Sequence, residues 1–422
     1  MKPETIAIHG GFAGDPQTHA VAVPLYQTTS FYFDSTQHGA DLFDLKVPGN
    51  IYSRIMNPTN AVLEQRVTEL EGGIGALAMA SGMAAITASI QTLARVGDNI
   101  VSVSQLYGGT YNFFAHTLPQ QGIEVRMASG EDPAALEALI DDNTKAVFCE
   151  SIGNPAGNIV DLKALADIAH KHGVPLLVDN TVATPVLCRP FDYGADIVIH
   201  SLTKYMGGHG TTIAGIIADS GKFPWKDNPR FPQFNEPDPS YHGVVYSEAL
   251  GEAAFIGRAR VVPLRNMGAA LSPFNALMIL QGIETLSLRM ERHCENAQKV
   301  AEFLQAHPKV KWVNYAGLPD SQYHGLAQRY MGGKPSAILS FGIEGGRDAG
   351  GRFIDALQMI KRLVNIGDAK SLACHPASTT HRQLDEAELV KAGVSVDMVR
   401  LSVGIEHIDD ILEDVTQALD KA

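Results

Sequence analysis

Four short apolar runs, Asn99–Val103, Ala146–Cys149, Pro175–Val178 and Asp196–Ile199, punctuate the stretch from Pro58 to Gly221. Helix-like segments such as Ala134–Ile140 and Leu162–His172 lie between them. Strands that are apolar on both faces and alternate with helices form a mainly parallel sheet buried under helical layers, so the predicted fold class is α/β. The first fifty or so residues show no sustained period and read as an extended arm. Beyond Pro273 an amphipathic stretch, Phe274–Leu304, precedes short strands near Val310–Val313 and Ala337–Gly342, which predicts a smaller α+β unit. At 422 residues the chain exceeds one ordinary core. The expected division is an arm over 1–57, an α/β domain over 58–270 and a C-terminal α+β domain over 271–422. Phe223–Tyr246, with five prolines, breaks the rhythm and reads as a long functional loop, a candidate cover for a site.

Charge and cysteine usage narrow the function classes. The 33 basic side chains against 46 acidic ones give a formal charge of −13. Such a surface repels phosphate backbones and argues against a nucleic-acid partner. Four cysteines without CxxC spacing point to a reducing, cytoplasmic setting rather than a disulfide scaffold or zinc site. The start MKPETIAIHGG has no basic region followed by an apolar run, so no secretory signal is expected. Residues 72–94 carry no charge, but Gly, Ala, Ser and Thr make them weakly apolar; a buried helix is expected there, not a membrane span.

Ligands of an open parallel sheet bind beyond the carboxyl ends of its strands. Three signals fall at such ends: Asp179 after PLLV, Lys204 after DIVIHSLT, and Ser81-Gly82-Met83 opening a helix after GALAMA. Alone, the aspartate reads as a helix cap and the lysine as an ordinary surface charge. Together they meet the needs of pyridoxal 5′-phosphate (PLP): an amine for the imine, a carboxylate for the ring nitrogen, and helix N-terminal amides for the phosphate. Ser201 and Thr203 offer hydroxyls to the same phosphate.

The ordered motifs IYSRIMNPTN, MASGMAAI, LYGGT, ESIGNP, LLVDNT, HSLTKYMGGHG, NIGDAKSLACHPASTTH and VRLSVGIE span nearly the whole chain. They resemble the Cys/Met-metabolism family of PLP enzymes, which implies the fold-type I, aminotransferase-like architecture. Within it, ESIGNP and SLACHPASTTH are most similar to O-acetylhomoserine sulfhydrylases. The resemblance implies that Lys204 carries the cofactor and shuttles protons, Asp179 pairs with the ring nitrogen, Tyr107 stacks on the ring and Asn154 bonds its phenolic oxygen. Gly82, Met83, Ser201 and Thr203 would hold the phosphate, completed by Tyr52 and Arg54 of a neighbouring subunit. Arg400 and Ser371 would grip the substrate carboxylate, with Tyr52 and Asn154 also facing the substrate. The implied reaction is γ-replacement on O-acetyl-L-homoserine by sulfide, giving L-homocysteine and acetate, in a homotetramer built from dimers with shared sites.

Other readings are weighed on the same residues. Ser201-Leu202-Thr203-Lys204 satisfies the SxxK pattern of penicillin-recognising hydrolases, but SDN, KTG and GxSxG are absent. His375 and His381 are poorly spaced for a metal, and HExxH is missing, so no metal is expected. Inside the family, a methionine γ-lyase would carry cysteine where this chain has Gly109, and cystathionine enzymes show SLGG near the carboxylate site where this chain reads Ser371-Leu372-Ala373-Cys374. An O-succinylhomoserine sulfhydrylase is the remaining relative left open.

Overall fold

The uncharged stretch 72–94 is not one helix. It divides into β1 (Gly75–Met79) and the helix Gly82–Leu93, so the buried-helix expectation holds for its second half only. Short apolar runs carry no period that separates strand from helix; here the pairing partner decides. The computed structural model describes residues 1–44, 46–379, 382 and 393–422.

Six further strands join β1: β2 (Asn99–Val103), β3 (Glu124–Ala128), β4 (Thr144–Glu150), β5 (Leu176–Asp179), β6 (Ile197–His200) and β7 (Gly215–Asp219). Their order is β1-β7-β6-β5-β4-β2-β3. Six strands share one direction, and β7 runs antiparallel to both β1 and β6. The predicted apolar runs fall on β2, β4, β5 and β6. Every residue of β2 is buried, as for a strand covered on both faces. Each fully buried Ile or Val there contributes about 1.5–3 kcal/mol relative to exposure.

A second sheet holds β8 (Val310–Asn314), β9 (Ile338–Ile343), β10 (Lys361–Arg362), β11 (Leu372–Cys374) and β12 (Met398–Ser402), in the order β10-β11-β12-β9-β8. It is antiparallel except for the β10–β11 pair. The amphipathic stretch is two helices, Pro273–Glu284 and Leu286–Ala306, and the second packs on β8 and β9. The N-terminal stretch carries two short helices, Pro3–His9 and Thr36–Phe43, too brief to show a period. Pro3–His9 buries Ile6 and Ala7, while Val21 and Tyr32 farther along stay more than 90% exposed.

Phe223–Tyr246 does not cover the carboxyl-end cleft of its own chain. Trp225, Phe231 and Phe234 are buried, with Trp225 stacked on Phe255 at 5.6 Å. Arg230 donates to the carbonyls of Asp141 (2.9 Å), Asp142 (2.9 Å) and Thr144 (3.1 Å), at the amino end of β4. Six aromatic residues and many prolines favoured a self-packed plug at the opposite edge of the sheet over a lid. Among the described residues, no helix is long and apolar enough to cross a membrane. All four cysteines are free and buried.

Candidate active site

The shared strand direction gathers the functional side chains at one edge. Glu150 and Asp179 are the last residues of adjacent strands β4 and β5 and lie in register. Lys204 follows β6, Tyr107 follows β2, and Ser81-Gly82 follows β1. A cavity of about 320 Å³ opens among them. Of the sequence-predicted residues, Gly82, Met83, Tyr107, Asn154, Asp179, Ser201, Thr203 and Lys204 line it.

The anion cup follows from local rules. Ser81 caps its helix by accepting from the Ala84 amide at 3.1 Å. The next two amides, of Gly82 and Met83, precede any intrahelical acceptor and remain free for an anion. A Cβ on Gly82 would lie 2.7 Å from that of Ser201, so only glycine lets the helix approach the Ser201–Thr203 turn. Thr181 ties these parts together, its hydroxyl accepting from the Ser201 amide at 2.8 Å.

Asp179 sits recessed at the cavity floor, accepting from the Thr181 amide at 3.0 Å. Burial raises its pKa, and no Lys or Arg among the described residues pairs with it. Glu150 beside it is held by the Tyr107 amide at 2.5 Å, and burial and the Asp179 charge push its pKa well up. Two adjacent buried carboxyls, with no Lys or Arg among the described residues paired to either, are costly unless a positive group arrives. A protonated ring nitrogen is such a group, so the residues fit PLP. Lys204 complements them: burial, then the Arg400 charge, lower its pKa to about 8, which makes a neutral, nucleophilic amine accessible near physiological pH.

Arg400 lies on β12 between β11 and β9 and is 4% exposed. Its guanidinium donates to the Asn154 side chain (3.1 Å) and to the carbonyls of Val364 (3.2 Å) and Asn365 (3.0 Å), and its Nε is buried without a partner. A guanidinium joined only to neutral acceptors can still take an anion.

Arg400 stands behind the cavity wall, and three further predicted residues lie apart from it. Ser371 turns away: its hydroxyl donates to Glu406 (2.9 Å) and accepts from the Gly404 amide (2.8 Å). The cavity position falls instead to Asn365, six residues earlier, whose side-chain oxygen accepts from Lys204 Nζ. The motif NIGDAKSLACHPASTTH was matched at its serine when its asparagine faces the site. Tyr52 and Arg54 lie on the arm, Tyr52 being 41% exposed, with Arg54 over its ring at 5.3 Å and donating to the Arg265 carbonyl. Glu150 and Thr181 also went unassigned, although the same strand-end logic that picked Asp179 applies to both.

Among the described residues, no group of three or more His, Cys, Asp or Glu is placed to hold a metal ion. His375 is buried and bonds Ser378 and the Val396 carbonyl; His381 lies outside the described residues.

The comparisons agree with this geometry. A 54% identical relative, O-acetyl-L-homoserine sulfhydrylase 1 of Thermus thermophilus, aligns over 99% of this chain and 100% of its own length. Homocysteine synthase of Schizosaccharomyces pombe is 52% identical over 99% of this chain and 98% of its own. A solved Campylobacter jejuni structure, assigned as an O-acetylhomoserine (thiol)-lyase and carrying a pyridoxyl-lysine monophosphate, superposes with a TM-score of 0.96 at 43% identity, covering all of both chains. The family profile described as Cys/Met metabolism PLP-dependent enzyme matches residues 4–420. With a lysine, a recessed carboxylate and an amide cup converging on one cavity, this chain belongs to the Cys/Met-metabolism PLP-dependent enzymes.

Proposed function

We infer that the chain is an O-acetyl-L-homoserine sulfhydrylase, exchanging the γ-acetoxy group for sulfide to give L-homocysteine and acetate. The observation that carries this is near-full-length likeness to relatives bearing that name, combined with Lys204 and Asp179 lining one cavity and Arg400 bonded to its wall residues Asn154 and Asn365. In the exchange the γ-carbon loses its bond to acetate oxygen and gains one to sulfur, while the α-proton leaves and returns. Bound PLP supplies the electron sink that stabilises negative charge at the α-carbon.

The chain's residues do the rest. Lys204 holds the cofactor and moves the α-proton, a task suited to an amine that titrates near pH 8. Asp179 keeps the ring nitrogen protonated, Tyr107 covers the ring face, and Asn154 spans from the cofactor to Arg400. Gly82, Met83, Ser201 and Thr203 cradle the phosphate. Arg400 orients the substrate carboxylate, with Asn365 beside it in the place expected of Ser371. A Cβ on Gly109 would lie 2.5 Å from the Tyr107 ring, so the glycine leaves that ring free to settle over the cofactor.

This reading assigns 1–57 as the arm, 58–270 as the cofactor-binding unit and 271–422 as the C-terminal unit. It places the enzyme in the cytoplasm as a homotetramer of dimers, in which Tyr52 and Arg54 complete the partner's phosphate site. Their exposure on the arm, outside their own chain's cavity, supports that placement. The test measures homocysteine and 2-oxobutanoate from O-acetylhomoserine with and without sulfide, and methanethiol from methionine. Sulfide-dependent homocysteine should dominate; faster breakdown of methionine would overturn the assignment.

A further inference from the structure

The helix Leu286–Ala306 buries an apolar face that includes Leu286, Met290, Ala297 and Val300. Three polar residues at spacings of four and three interrupt this face: Arg289, His293 and Asn296, exposed by 5%, 0% and 2%. None forms an ion pair with a carboxylate among the described residues; apart from Arg289 Nε, which donates to the Thr285 hydroxyl at 3.2 Å, their bonded donors go to carbonyl oxygens. Arg289 donates to the carbonyls of Tyr205 (2.6 Å), Gly282 (2.6 Å) and Met206 (3.4 Å). His293 Nδ1 donates to the Val403 carbonyl at 2.7 Å, and burial lowers its pKa to about 4, so the ring is neutral and its proton sits on that nitrogen. Asn296 donates to the carbonyls of Gly404 (3.1 Å) and Glu406 (2.9 Å).

These contacts reach two places at once. Tyr205 and Met206 directly follow Lys204, and Val403–Glu406 directly follow the strand that carries Arg400. Backbone bonds close the circuit: the Gly208 amide donates to the Lys204 carbonyl (2.7 Å), Ala369 to Gly208 (2.8 Å), and Ile405 to Ala369 (2.9 Å). We propose that Arg289, His293 and Asn296 form a positioning stripe that fixes the Lys204 turn relative to the Arg400 strand. The stripe therefore sets the separation between the group that moves the proton and the group that grips the substrate. A buried guanidinium facing carbonyls and one hydroxyl, with no carboxylate among the described residues, is an expensive way to hold a fold, because an apolar side chain packs such a face at lower cost. Its fork geometry is what a two-carbonyl clasp on a turn requires.

The inference rests on Lys204 being the cofactor lysine. Borohydride reduction and peptide mapping of the parent holoenzyme test that assignment separately. The experiment compares holoenzymes of Arg289→Met, Arg289→Lys and Asn296→Ala with Arg66→Met, which removes another buried arginine, one that bonds the Gly10 carbonyl away from the cavity. Visible circular dichroism per bound cofactor reports how rigidly the cofactor is oriented, and steady-state kinetics separate kcat from KM. Arg289→Met should lose dichroic amplitude at equal occupancy and up to roughly a hundredfold in kcat, the scale of an ångström-sized misplacement. Arg289→Lys should recover part of both. Asn296→Ala should act mainly on KM, because its contacts lie at the Arg400 end. Arg66→Met should melt earlier with dichroism and KM unchanged. Unchanged dichroism and KM in Asn296→Ala and Arg289→Lys, or equal losses in Arg66→Met, would overturn the proposal; these variants decide it even where Arg289→Met does not fold.

Discussion

Replacing Arg400 by methionine keeps an unbranched apolar stem and removes the guanidinium with its charge. Two consequences can be separated in advance. First, the carbonyls of Val364 and Asn365 lose their donors, which at about 1–3 kcal/mol for a buried unsatisfied group lowers stability and loosens the 363–366 loop. Second, the substrate carboxylate loses its partner, a guanidinium only 4% exposed, and truncating one member of a desolvated pair costs about 2–5 kcal/mol. At about 1.4 kcal/mol per decade, the second effect is a fall in kcat/KM of roughly 30-fold to several thousand-fold. A double-mutant cycle isolates it. Parent and variant are each assayed with O-acetylhomoserine and with its carboxamide, which has the same shape but no anion. The parent should lose most of its kcat/KM on amidation, while Arg400→Met should lose little more. Cofactor absorbance should persist in both, because the phosphate cup and Asp179 lie on the other sheet. Equal losses on amidation in the two proteins would refute the assignment of Arg400 to the carboxylate, however inactive the variant proved.

Two further outcomes follow from the same geometry. In cofactor-free protein, burial and the Arg400 charge hold the Lys204 amine below its ordinary value, so it is cationic below about pH 8 and free above. Competitive acetylation read by mass spectrometry should show Lys204 reactivity rising through that pH, and Arg400→Met should move the midpoint up; a midpoint at 10.5 in the parent would contradict the burial argument. Arg54→Ala and Lys204→Ala should each be nearly inactive alone, yet co-assembled mixed dimers should regain activity through one intact shared site. Absence of recovery with subunit mixing demonstrated by mass would place both residues in the same subunit's site.

How much of this was readable beforehand depends on where the determinant lies. The β2 run matched its strand end to end because burial on both faces leaves a signal in composition alone. Asp179, Lys204 and Gly82 were readable as strand-end or helix-start residues, a local geometry. Ser371 and Asn365 share one motif, and only the turn into β11 decides which faces the cavity. The antiparallel direction of β7 was likewise invisible, since a buried strand reads the same in either direction. Phe223–Tyr246 misled because proline and aromatic content marks an irregular segment without saying which edge it packs on. The 289–293–296 stripe looked like the polar side of an amphipathic helix, when in fact it is buried against backbone.

The cavity wall is assembled from six separate stretches, around residues 81–86, 107, 150–154, 179–182, 201–213 and 364–366. The last comes from beyond the long helix, and Arg400 from farther still. The lining residues that would hold the cofactor all lie between 81 and 204, but the wall that faces the substrate closes only when the 364–366 stretch packs against them. A cofactor that binds only the folded chain stabilises it, by an amount that grows with the logarithm of the free cofactor concentration once that exceeds Kd. Vitamin supply thereby bears on how stable the protein is as well as on its chemistry.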